Sequence, residues 1–198
     1  MATPPNILAI GSQEELATIL DTFGIPTAGW GEDGTKTTAD LYREISQGET
    51  VLHQTIGHTA LGKYIWTVKV DVYYSPGPND LVRLVEDFQE DRATGVRRHR
   101  RLSNSLSEKR RAMHGESPEA AALRALHEEI GVDTPQGLYL TSEKVWAPKA
   151  EPNYAGLLVT NETHYYVARL GPEGYNPEGY IEETPERMTY FRWEQLKP

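Results

Sequence analysis

The chain has no cysteine, which excludes both a disulfide framework and a zinc site built on thiolates. It also lacks any apolar run near the roughly 20 residues that a bilayer-crossing helix needs. Its first residues, Met1-Ala2-Thr3-Pro4-Pro5-Asn6, have neither the basic start nor the apolar core of a secretory signal. A cytoplasmic protein without a membrane partner is therefore expected. Positive charge is scarce: 20 basic residues face 29 acidic ones, for a net charge of −9. Such a balance disfavours nucleic acid as a partner, so any bound anion must be met by a local basic patch. What remains is 198 residues, 38% hydrophobic and 25% charged, the proportions of one ordinary soluble domain with a short extension.

Residues 1–50 read as a small helical extension. Ser12-Gln13-Glu14-Glu15 is a capping box followed by Leu16, Ile19, Leu20 and Phe23 at helical spacing, with Gly24 as the stop. A second helix is predicted from Thr38 through Leu41 and Ile45 to Gly48. From residue 51 onward the period changes to that of strands, at 51–56, 64–74, 81–86, 137–140, 157–160, 163–170 and 188–193. Gly, Pro and Asn separate these runs, as in the turn Ser75-Pro76-Gly77-Pro78-Asn79-Asp80. One helix interrupts them: Ser117 as N-cap, Pro118 at the first position, and a stripe of Ala121, Ala122, Leu123, Leu126 and Ile130 before Gly131. A single helix flanked on both sides by strands predicts an α/β fold with a mixed sheet, since a parallel doubly wound one would need a helix after nearly every strand.

The run Glu116-Ser117-Pro118-Glu119 continuing to Arg124, Leu126, Glu128, Glu129, Gly131 and Val132 resembles the Nudix box. Two positions depart from it: Arg110 stands where the box begins with glycine, and Ala125 where a glutamate follows the arginine. The resemblance implies the Nudix fold over residues 51–198, a mixed sheet sandwiched between helices. It implies Glu128 and Glu129 as metal ligands and catalytic acids, with Glu116 and Arg124 holding the loop and helix together. The extension, through Trp30-Gly31, Lys36-Thr37 and Gly48-Glu49, is similar to the N-terminal region of uncharacterised Nudix-like proteins.

Simple electrostatics points the same way. Adjacent carboxylates at a helix C-terminus repel each other and face the negative end of the dipole, an unfavourable placement unless a cation compensates. A hard ion such as Mg2+, or Mn2+ in its place, suits carboxylate and phosphate oxygens together. The competing reading is a pair of solvated helix-end residues. Ala125 shares a face with Glu128 and Glu129, so a carboxylate is missing from the implied metal cluster. Either another acid substitutes or hydrolysis has been lost. Glu108, expected in the loop before the box, is the first substitute as a metal ligand. Glu182 and Glu183 precede the last strand, where many Nudix enzymes carry a further acid, and Glu183 is the candidate catalytic residue. Each of these also reads as an ordinary loop acid.

Arg97-Arg98-His99-Arg100-Arg101 would place cations on both faces of a strand. Either one face meets a phosphate, with Arg98, Arg100 and Lys109 as the binding cations, or the ribbon pairs with Glu86, Asp87, Glu90 and Asp91 across a hairpin at Thr94-Gly95. Tyr154, Tyr165 and Tyr166 read either as stacking platforms for a planar group or as core. His127, beside the acid pair, reads as a surface residue. The function expected is a Mg2+-dependent hydrolase cleaving a phosphoanhydride in a nucleoside diphosphate derivative or another organic diphosphate. The partner is then a small phosphorylated substrate, with a homodimer allowed. The alternative is a catalytically silent module of the same fold that binds a phosphorylated ligand or a protein partner.

Overall fold

The computed structural model describes residues 6–54, 60–77, 80–100 and 104–196. The end of the first expected strand (Thr55, Ile56), the turn residues Pro78 and Asn79, and Arg101 lie outside them. Among the described residues the helices are α1 (Gln13–Thr22), α2 (Thr38–Ser46) and α3 (Pro118–Ile130). The strands are β1 (Thr50–Gln54), β2 (Leu61–Gly77), β3 (Asp80–Asp91), β4 (Arg97–Arg98), β5 (Leu106–Lys109), β6 (Gly137–Val145), β7 (Lys149–Ala150), β8 (Leu158–Arg169), β9 (Tyr180–Glu183) and β10 (Arg187–Gln195). They form the α/β fold with a large mixed sheet that the residue pattern predicts. The backbone divides into two compact units.

The first unit holds residues 1–67, 109–117 and 144–163. Helix α1 starts where Ser12 accepts the Glu15 N–H at 3.1 Å, while Glu15 reaches back one residue further than expected, to the Gly11 N–H at 2.7 Å. Helix α2 opens on a box the sequence reading passed over: Thr37 accepts from Asp40 N–H at 3.1 Å and Asp40 accepts from Thr37 N–H at 2.8 Å. Leu16 and Leu20 of α1, Leu41 of α2, and Leu52, Leu61, Tyr154 and Leu157 form one buried cluster. Within this apolar setting Glu44, 4% exposed, receives three ammonium groups: Lys36 at 2.5 Å, Lys63 at 2.8 Å and Lys109 at 2.9 Å. The Tyr154 hydroxyl donates to it at 3.3 Å, and Lys63 also lies 3.6 Å from Glu151 and 4.4 Å from the centre of the Tyr154 ring. Burial alone would raise the Glu44 carboxyl, but the charges of Lys63 and Lys109 outweigh it and hold the group down to about 2.

Where two strands were expected, at 157–160 and 163–170, β8 is continuous. Asn161 and Glu162 do not break it because both find partners: Asn161 bonds the Thr67 hydroxyl, and Glu162 accepts from the Tyr64 hydroxyl at 2.9 Å. Tyr154, buried beside Glu44, and Tyr166, buried in the second unit, are core residues, as one of the two readings had it.

The second unit holds residues 68–108, 118–143 and 164–198. Its strand order is β6-β8-β2-β3-β10-β9, with β4 beside β3 and β5 beside β2. Neighbours β2 and β3, β3 and β10, and β10 and β9 run antiparallel. Helix α3 supplies Ala121, Ala122, Leu126 and Ile130 to a core with Val68, Val70, Val72, Leu84 and Phe191. Gly131, at φ 68°, stops the helix in an αL motif, its N–H on His127 O at 2.9 Å, and the Val132 N–H bonds Leu126 O at 3.1 Å. Leu126 is fully buried. Leu126→Ala is therefore expected to cost about 2–5 kcal/mol in chemical unfolding, and a loss under ~1 kcal/mol would contradict this packing.

Two expected loops are strands. Glu108 lies in β5, not in a loop, because Ser105 fastens the chain just ahead: its hydroxyl donates to Leu84 O at 2.5 Å and accepts the Val72 N–H at 3.0 Å. Residues 180–183, read as loop acids, form β9, in register with Met188–Phe191.

Candidate functional site

The C-terminal end of α3 turns its two acids different ways. Glu128 is exposed and takes the Arg124 guanidinium at 3.2 Å, with the same guanidinium 3.5 Å from Glu108. Glu129 is turned inward. Its Oε1 is buried and has no hydrogen-bond partner among the described residues, although a backbone bond from Ser107 supports the carboxylate. Burial drives the Glu129 carboxyl well above the ordinary carboxylate range, and the charges of Glu182 and Glu108 push it further. Desolvation and like charge act in the same direction here and outweigh the opposing charge of Arg187.

Strand alternation decides which of the β9 acids joins it. Tyr180 and Glu182 are half-buried, whereas Ile181 and Glu183 are exposed. Glu182 stands opposite Thr189, which is buried. Glu183 points to the other face and takes Arg92 at 3.2 Å. A cleft of about 500 Å3 is lined by Glu128, Glu129, Glu178, Gly179, Tyr180, Glu182 and Glu183 among others. Gly179 sits at φ 85°, and a Cβ there would fall 2.0 Å from the Phe191 carbonyl oxygen. Gly179→Ala must push β9 off β10. It is expected to destabilise the fold by at least ~1–3 kcal/mol, and an unchanged melting temperature would refute this reading of the turn. The sequence reading did not single out this glycine, although Asn176-Pro177-Glu178-Gly179 carries turn signals at three of its four residues.

The arginine run is a hairpin. Gly95, at φ 69°, makes the turn, and Asp91 accepts from the Thr94 N–H at 2.8 Å and its hydroxyl at 2.7 Å. Arg97 takes Glu90 at 2.6 Å, and His99 Nδ1 lies 2.9 Å from Asp87 O. Arg100 grips the buried Glu86 with both arms, at 2.8 and 2.5 Å. Of the two readings of this run, cross-hairpin pairing describes Arg97 and Arg100. Arg98 is exposed and lies near enough to Asp91 to lower its carboxyl, after the Thr94 bonds. Arg100 does more than pair: beyond Glu86, the charges of Glu129 and Glu182 also raise its pKa.

Lys109, expected at the substrate, lies in the first unit on Glu44 and on Glu49 at 3.3 Å. In the same unit Glu116 accepts the Arg111 N–H at 2.6 Å, closing the short turn at Ala112–His114. His127 is exposed and meets Asp133 at 2.7 Å. Ala125, where a further box acid was missed, is completely buried.

The donor set suits a hard divalent cation: carboxylate oxygens, an orphaned buried one among them, with no soft ligand. Among the described residues no three acids or histidines stand in a metal-binding group. Mg2+ does not require one, since it is commonly held by one or two carboxylates together with phosphate oxygens and water.

Residues 111–198 match the family model of the NUDIX domain. Among solved structures, the chain is similar to the NUDIX domain of Shewanella oneidensis NrtR complexed with ADP ribose. That likeness has 16% identity and a TM-score of 0.37, over 65% of this chain and 70% of that one. It is similar to RenU, a Nudix hydrolase from M. smegmatis, at 18% identity and a TM-score of 0.30, over 65% and 69%. An ADP compounds hydrolase shares 17% identity at a TM-score of 0.29, over 74% of this chain and 66% of its own. No curated protein matches the sequence. The family model begins one residue after Arg110 and takes in the whole of α3, β9 and β10, so the likeness to the NUDIX domain rests on residues 111–198.

Proposed function

We propose that the protein hydrolyses a phosphoanhydride in a nucleoside diphosphate derivative or a related organic diphosphate, with Mg2+ or Mn2+ as cofactor. The observation that carries this reading is Glu129: a buried carboxylate with an orphaned oxygen, lodged among the charges of Glu182 and Glu108 at the end of the NUDIX helix. Glu129, with one of Glu182, Glu128 or Glu108, would hold the ion together with phosphate oxygens and water. When bound, it would neutralise the diphosphate and lower the pKa of a coordinated water. Glu182 replaces Glu183 as the favoured second acid, since Glu183 faces Arg92 on the opposite side of β9. Arg100, paired with Glu86 and within the field of Glu129 and Glu182, would orient an incoming phosphate. The acidic lining cannot take a diphosphate on its own, which is why the cation belongs to the substrate complex.

The buried Ala125 favours the second reading, a silent module that binds a phosphorylated ligand, because no carboxylate can reach the cleft from that position. One assay separates them. The full chain is incubated with a panel of nucleoside and non-nucleoside diphosphate derivatives, ADP-ribose among them, with Mg2+, with Mn2+ and with chelator. Metal-dependent product release supports hydrolysis. Saturable ligand binding without turnover under either metal supports the module, and neither binding nor turnover rejects both.

A further inference from the structure

The second unit carries another cleft, of about 550 Å3, that shares no lining residue with the acidic one. It opens where the C-terminal ends of β2 and β8 meet the residue before β6. Tyr73 and Tyr74 come from β2, Arg169 ends β8 with Leu170 behind it, and Gln136 precedes Gly137. Its volume lies within the range of small-molecule sites. Leu170, 3% exposed, forms an apolar floor and is fixed by its N–H to Tyr73 O at 2.9 Å.

One wall is clamped. The Tyr74 ring stacks on Tyr175 at 3.9 Å with 17° between planes, and Tyr175 leans on Trp193 at 5.2 Å. The Trp193 indole N–H donates to Asn176 O at 2.7 Å, so the aromatic row is locked at its far end. A wall ordered before any ligand arrives loses little entropy on binding.

The charge at this cleft is equally specific. In the same unit Arg83 is taken by Asp71, Arg97 by Glu90, Arg100 by Glu86 and Arg192 by Asp87. The Arg169 side chain has no hydrogen bond or ion pair among the described residues, in a chain with 29 acids for 20 bases. The acid at the cleft, Asp80, curls over its own hairpin, with Oδ2 3.1 Å from where a Cβ on Gly77 would stand. That leaves the Arg169 guanidinium as the group offered to a ligand, beside the exposed amide of Gln136.

We propose that this cleft is a second ligand site, taking a small anion carried on a planar ring. Arg169 receives the anion in its two-armed fork, the ring lies against the clamped tyrosine wall, and Gln136 bonds a polar edge of the ligand. A guanidinium accepts carboxylate and phosphate alike, so the two sources are separated by the probes. The site is independent of the hydrolytic reading.

The test is titration of the full chain, in chelator so that no divalent ion draws anions to the acidic cleft, with AMP and with benzoate, followed calorimetrically. Saturable binding of either probe is expected, AMP marking a phosphate site and benzoate a carboxylate site. Arg169→Gln, on an exposed side chain, is expected to weaken it roughly tenfold or more, and Tyr74→Leu is expected to weaken it as well. Glu129→Gln is expected to leave it unchanged. The proposal is overturned if neither probe saturates, if Arg169→Gln binds as tightly as the parent, or if Glu129→Gln weakens binding as much as Arg169→Gln does.

Discussion

Glu44→Ala is expected to lower the stability of the protein by about 3–5 kcal/mol, the cost of removing one partner from a buried ionic group and leaving the others uncompensated. For a chain of this size that corresponds to a fall in melting temperature of roughly 10 °C. The loss is large because Glu44 is a hub. Lys63, itself 2% exposed, would be left with Glu151 at 3.6 Å as its remaining carboxylate, and Lys36 would lose the 2.5 Å contact it makes here. Burial lowers the pKa of Lys63 and Glu44 raises it back, so without Glu44 the ammonium faces desolvation with less compensation. The acid limb carries the same information. The Glu44 carboxyl lies at about 2 in the fold against an ordinary value of 4.5, so its ionised form stabilises the native state. That contribution is complete above about 4.5 and disappears as pH falls through 2. Glu44→Gln should therefore flatten the loss of stability across that window, and an acid limb as steep as the parent's would show that the network contributes nothing to folding.

Glu129→Gln is expected to move activity and stability in opposite directions. Under the hydrolytic reading it removes the inward-turned acid of the cleft, and turnover with Mg2+ should fall by at least ~10²-fold. In chelator the same substitution should stabilise the protein near neutral pH. The Glu129 carboxyl is raised above its ordinary 4.5 by burial and by Glu182 and Glu108. Ionising it therefore costs native stability, increasingly so as pH climbs from 4.5 through the raised value. Glutamine keeps the shape and an acceptor for the Ser107 bond without the charge. A melting temperature below the parent's in chelator would mean that Glu129 is an ordinary structural carboxylate, whatever happened to turnover.

Much of this was legible from local chemistry. Ser12, Pro118 and Gly131 announced the ends of their helices because a cap needs only its own few neighbours, and the stripe from Ala121 to Ile130 announced a buried face for the same reason. The acid pair at the end of α3 was visible in the chain as well. Its asymmetry was not, since which carboxylate turns inward depends on the strands laid against the helix. Glu108 and β9 escaped for a related reason: their strands are four residues each, too short for alternation to show, and they form because Ser105 and β10 present ready partners. The tie between Glu162 and Tyr64 spans 98 residues of sequence, so nothing near Glu162 could reveal that a strand tolerates it. Glu44 could not be told from the other polar positions of an amphipathic helix, because two of its three lysines, Lys63 and Lys109, come from distant segments.

The pairing of β9 with β10 has a consequence for how this protein can change. Glu182 and Glu183 are adjacent and of the same residue type, and they are told apart by the side of the ribbon on which each falls. A frame slip of one residue at the 184–186 bend would exchange the faces on which they fall, turning Glu182 to the Arg92 side and Glu183 to the Glu129 side. Composition would survive such a slip almost untouched. The fixed stop at Gly179, which tolerates nothing larger against Phe191, guards against it from the opposite end, so the identity of the inward acid is a matter of alignment and not of residue choice.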